Sequence, residues 1–119
     1  MLTWNQYEFI ECLAVLPEVE EYETCHTFKV EKDGLKLVLT IYQYDGDVDF
    51  DLFRDGIEES VFKMRLMDCP GARYISTKQG KEYLEFATSK SFGMRYDGES
   101  PIPIGVRLSV NPHISIELF

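Results

Sequence analysis

Histidine, tryptophan and cysteine are scarce in this chain: 119 residues hold two, one and three of them. His26 and His113 are the only histidines, so the inventory for metal or nucleophilic chemistry is thin. Cys12, Cys25 and Cys69 are an odd set without CxxC spacing, which argues against the even, dense disulfide framework of small secreted domains. They are expected to be reduced thiols in the cytoplasm, packed as small buried or half-buried residues. No run approaches the eighteen apolar residues a membrane helix needs, and the N-terminus has neither a basic nor an apolar leader region. GxSxG, HExxH, phosphate-binding glycine loops and the dinucleotide fingerprint are all missing.

Positive charge is also short. Twelve lysines and arginines face 21 acids, a net charge of -9 and a pI near 4.6. That balance repels phosphate backbones and anionic lipid, so neither nucleic acid nor a membrane surface is an expected partner. The excess is uneven. Residues 1–60 carry fifteen acids and four bases, whereas residues 61–119 carry six acids and eight bases.

What is present is a composition of 45% hydrophobic and 28% charged residues, which suits one globular domain over residues 1–119. One helix is signalled at the start. Thr3 and Gln6 have capping-box spacing, Leu2 and Tyr7 suit a hydrophobic staple, and Phe9, Ile10, Leu13, Ala14 and Leu16 continue an apolar stripe. Pro17 ends it, and residues 17–23 read as an acidic connector.

The remainder reads as β-structure. Asp33-Gly34 suits a two-residue hairpin that pairs Val30 with Leu37, Phe28 with Leu39 and His26 with Ile41. Asp45-Gly46 as a second such turn pairs Ile41 with Phe50 and Leu39 with Leu52. A three-residue loop at Arg54-Asp55-Gly56 pairs Val48 with Phe62. Two further hairpins are expected around residues 78–81 and 111–113, the last setting Arg107 against Glu117 as an outward ion pair. The expected fold is α+β, one N-terminal helix packed on an antiparallel meander of about seven or eight strands.

Asp47, Asp49, Asp51, Asp55 and Glu58 fall at EF-hand-like spacing, but position six is Leu52 instead of glycine. Val48, Phe50 and Leu52 alternate with the acids, as in a strand. No metal site and no cofactor are therefore expected. In the expected register Asp49 lies beside Tyr42, Asp51 beside Thr40, and Asp47 faces Lys63 with Arg65 in diagonal reach. This acidic stripe is read as a solvated sheet face or a docking surface for a basic partner.

Residues 87–103 lack periodicity, and such long loops are often functional. Phe92, Met94, Arg95 and Tyr96 are interface-type residues there. The candidate partner-binding set is accordingly Tyr42, Asp47, Asp49, Asp51, Phe92, Met94, Arg95 and Tyr96. His26 reads as a rim or core histidine. Cys25 and His26, adjacent on a strand, point to opposite faces and cannot pair.

The function these features favour is a small acidic, non-catalytic protein-interaction domain, an inhibitor or immunity-type protein binding a basic protein. A rival is a small-molecule-binding or enzymatic domain with a pocket between helix and sheet, lined by Trp4, Tyr7, His26 and the long loop of residues 87–103. A third reading is a homodimeric structural domain that pairs strand edges.

Overall fold

A computed structural model describes residues 1–89 and 96–119. Helix α1 spans Gln6–Leu13, a 3-10 turn spans Glu21–Glu23, and nine strands follow among the described residues. The strands are β1 (Glu18–Val19), β2 (His26–Lys32), β3 (Leu35–Tyr42), β4 (Asp47–Arg54), β5 (Phe62–Leu66), β6 (Ala72–Ser76), β7 (Glu82–Ala87), β8 (Gly105–Ser109) and β9 (Ser115–Leu118). They form two antiparallel meanders, β1-β2-β3-β4-β5 and β6-β7-β8-β9, instead of the single sheet expected. The break falls at residues 67–71. There the chain leaves the first sheet, and Thr3 bridges Gly71.

The division has a physical cause. One meander of this length would leave an apolar face wider than an eight-residue helix covers. The second sheet shares that work. Phe86 on β7 meets Phe50 on β4 edge-to-face at 5.1 Å, and Phe9 on α1 meets Phe86 at 5.7 Å and Phe28 at 5.8 Å. Leu37, Leu39, Ile41 and Val48 join Leu84, Val106 and Leu108 in the same buried core.

The helix begins two residues later than expected. Asn5, not Thr3, is the N-cap, its side chain accepting from the Tyr7 N–H at 2.9 Å. The Thr3 backbone is occupied by sheet-like bonds, donating to Pro70 and accepting from Ala72. The expected staple also fails, because Leu2 is buried while Tyr7 is 72% exposed. The helix ends at Ala14 in the left-handed region, with its N–H returning to Ile10.

The β2–β3 register is the expected one throughout, and the β8–β9 register pairs Leu108 with Ile116 and Val106 with Leu118 as expected. The next two are displaced. Leu39, not Ile41, faces Phe50, because residues 43–46 form a four-residue loop closed by Gly46 N–H to Tyr42 O. Val48 faces Leu66 instead of Phe62, the loop running through residues 55–61. Both shifts move the partner by an even number of residues, so every side chain keeps its face.

Candidate functional site

The register decides what the acidic stripe can do. Asp47 lies across from Tyr42, Asp49 from Thr40 and Asp51 from Val38, each two residues from its expected neighbour. On the other side Asp49 faces Arg65 and Asp51 faces Lys63. Arg65 makes a bidentate pair with Asp49 at 2.5 and 2.9 Å, and Lys63 lies 4.0 Å from Asp51. Asp47 accepts the Asp68 N–H at 3.2 Å, and the Arg65 guanidinium lies over the Tyr42 ring at 5.4 Å. Two of the three acids are thus neutralised by their own sheet.

One corner of the molecule combines unpaired acid with exposed tyrosines. Glu20, Glu21, Glu23 and Asp45 are exposed and have no ion-pair partner among the described residues. Two tyrosines stand among them. Tyr22 is 81% exposed and Tyr44 51%, and the Tyr44 hydroxyl donates to the Tyr22 carbonyl at 3.4 Å. The Gln43 amide donates to the Glu23 carbonyl at 2.9 Å, tying the turn before β2 to the β3–β4 loop. Tyr22 and Glu23 both sit at positive φ, 61° and 56°, a conformation that side chains other than glycine adopt at a cost. Tyr42 and Asp47, at the ends of that loop, border the corner. From sequence alone this turn reads only as an acidic connector. Tyr22 within it, and Tyr44 in the β3–β4 loop, were the available signal.

The remaining candidates fall elsewhere. Tyr96 is half-buried with its ring against Gly71, where any Cβ would come within 2.3 Å of it, and burial raises its phenol pKa. Phe92, Met94 and Arg95 lie outside the described residues. The Asp97 turn is closed by its carboxylate, which accepts from the Glu99 and Ser100 N–H groups and from the Ser100 hydroxyl. Those bonds hold Asp97 down to about 2.

The second sheet treats charge differently. Arg73, Glu85, Arg107 and Glu117 form one cross-strand row over β6 to β9. Glu85 is buried and binds both arginines, Arg73 at 3.0 and 3.2 Å and Arg107 at 3.0 Å. The expected Arg107–Glu117 ion pair is therefore replaced, Arg107 turning to Glu85 and stacking on Phe119 at 4.1 Å. A groove of about 540 Å³ runs along this face, but Lys81 and Arg107 in its lining are offset by Glu82 and Glu117.

No catalytic arrangement emerges among the described residues. His113 is exposed, and the Cys25 thiol contacts Thr27 while the buried His26 Nδ1 has no partner. Burial pushes the Cys12 and Cys69 thiols up to about 12, so both stay protonated. Among the described residues no group of three or more histidines, cysteines or acids could hold a metal ion. Trp4 and His26 line a cleft of about 160 Å³, below the ~300 Å³ at which small-molecule pockets begin, whereas a cleft of about 340 Å³ lies between the end of α1 and β2, lined by Cys12, Leu13, Val15 and Val30. Tyr7 lines neither and stands in solvent. No helix among the described residues is long and apolar enough to cross a membrane.

The fold has a counterpart among solved structures. A chain of the contact-dependent growth inhibition toxin–immunity protein complex from Klebsiella pneumoniae 342 superposes with a TM-score of 0.73. The match covers 97% of this chain and 92% of that one, at 10% sequence identity. At that identity the likeness is one of architecture. No family model matches the sequence. No curated protein matches it either.

Proposed function

We propose that this chain is a non-catalytic protein-interaction domain of the immunity type, binding a basic protein in the cytoplasm through its acidic corner. The observation that carries the reading is the gathering of Glu20, Glu21, Glu23 and Asp45 around exposed Tyr22 and Tyr44. Tyrosine supplies contact area at low entropic cost, and unpaired carboxylates speed encounter with a cation-rich surface. Tyr42 and Asp47 extend this contact along the sheet, whereas Asp49 and Asp51 already hold Arg65 and Lys63 and contribute less. Phe92, Met94, Arg95 and Tyr96 remain proposed secondary contacts. The architectural likeness to a chain of a toxin–immunity complex, over nearly all of both chains, agrees with this reading.

The test is affinity capture from the native host at low and high salt, followed by identification of the retained protein. The expected partner is basic, is released by salt, and is lost when Glu20 and Glu21 are changed to lysine. An acidic or salt-insensitive partner contradicts the reading.

A further inference from the structure

Among the described residues each sheet has two outer strands, and three of these four edges are obstructed. β1 is only two residues long, and the stretch of β2 it leaves open carries Lys29 and Lys32. β5 presents Lys63 and Arg65. Short strands and long cationic side chains both discourage pairing with another chain. β6 is covered from within: the Ala72 N–H donates to the Thr3 carbonyl, and the Tyr74 N–H donates to the Glu8 carboxylate at 3.3 Å.

β9 has none of these devices. It reads Ser-Ile-Glu-Leu, with no lysine, arginine or proline. The Phe119 N–H and carbonyl both bond Gly105, each at 2.9 Å, so alternation turns Glu117 and Ser115 toward β8 as well. The backbone groups of Ile116 and Leu118 therefore point out of the sheet edge, and no other backbone group among the described residues takes them. The side chains of Ile116 and Leu118 lie on the core-facing side, across from Leu108 and Val106, yet Leu118 is 70% exposed. An apolar residue and a row of open hydrogen-bonding groups stand together on one edge.

We propose that this chain forms a dimer in which β9 pairs antiparallel with β9 of a second copy, joining two four-stranded sheets into one continuous sheet. The strand is self-complementary when centred on Ile116. That residue then exchanges both backbone bonds with its own counterpart, Leu118 meets Ile114, and Glu117 faces Ser115. Apolar side chains lie against apolar ones, and no like charges stand directly opposite, whereas centring on Glu117 would oppose two carboxylates. So short a strand buries less than the ~1,600 Å² of a standard interface, so the dimer dissociates on dilution. It uses no residue of the acidic corner.

The test is sedimentation velocity of the full chain across a hundredfold range of concentration, where a monomer–dimer equilibrium is expected. Leu118→Lys, at an exposed position, is expected to weaken association at least about tenfold. Ser115→Lys places a cation opposite Glu117 twice in each dimer and is expected to tighten association about fivefold, whereas Ser115→Glu loosens it by a similar factor. Met67→Lys adds the same charge as Ser115→Lys away from this edge, and its expected effect is below about twofold. A chain that stays monomeric throughout overturns the proposal. So does a dimer that Leu118→Lys leaves intact, or one that Ser115→Lys and Met67→Lys change alike.

Discussion

On the first sheet Asp49 and Asp51 stand near the surface and meet Arg65 and Lys63, which are 50% and 76% exposed. On the second sheet Glu85 is 6% exposed and held between Arg73 and Arg107. The two arrangements look alike as sequence patterns of alternating charge but differ in what their loss costs. Exposed pairs are screened by water and salt, whereas a buried carboxylate leaves stranded cations when it is removed. Neither set is free to recruit a partner. Among the acid that belongs to neither, Glu20, Glu21, Glu23 and Asp45 stand out because exposed Tyr22 and Tyr44 lie beside them.

The sharpest way to break this comparison is Glu85→Ala. It leaves Arg73 and Arg107 without their shared acceptor and is expected to cost about 3 kcal/mol or more in urea denaturation. A loss under about 1 kcal/mol would mean the arginines relax into water and the two sheets do not differ.

A smaller effect is expected from pH. Burial lowers the His26 pKa from 6.5, so the unfolded chain takes up a proton that the folded chain refuses. The stability this residue confers is present above about pH 6.5 and is lost as pH falls through the folded value. Urea midpoints at pH 7.5, 6.5 and 5.5 should fall more steeply for the native chain than for His26→Phe. Parallel curves would contradict the burial argument.

Asn5→Ala removes the cap of α1 and is expected to cost about 1 kcal/mol, measured the same way. Thr3→Val, at the position whose side-chain spacing first suggested the cap, should cost less. The smallest loss belongs to Asp49→Asn, about 0.5 kcal/mol and vanishing in high salt despite its bidentate geometry. An Asp49→Asn loss equal to that of Glu85→Ala would erase the distinction between the sheets.

Much of this arrangement is legible in the sequence. Asp33-Gly34 set the β2–β3 register, since its turn is local and Asp33 and Gly34 both take the left-handed region. The β3–β4 turn misled because distant groups hold it: the Leu2 N–H binds Gln43 O, and the Cys69 N–H binds Gly46 O. Turn chemistry cannot see partners so far away in sequence. Alternation still kept Val48 and Phe50 inward, because a displacement of two residues leaves the face unchanged. Two sheets in place of one depended on Phe86 reaching Phe50, again a contact between remote segments.

The docking corner was half legible. Four glutamates in residues 18–23 were plain, but which acids stay unpaired depended on the register that gives Asp49 to Arg65 and Asp51 to Lys63. The cleft was legible only in part: the sequence offers Trp4 and His26 as pocket-lining residues but not Gln6, Glu23 or Gln43. Trp4, Glu23, His26 and Gln43 come from separate segments, and the missing hydrogen bond of an imidazole leaves no trace in a sequence.

The most direct measurement is calorimetric titration of the captured basic partner against three forms of the chain. These are the native protein, Glu20→Lys with Glu21→Lys at the corner, and Lys81→Glu on the face of the second sheet. The corner variant is expected to bind at least about tenfold more weakly, a change of ~1.4 kcal/mol, with Lys81→Glu within about twofold of native. Unchanged affinity in the corner variant, with loss in Lys81→Glu, would place the partner on the other sheet and contradict the account.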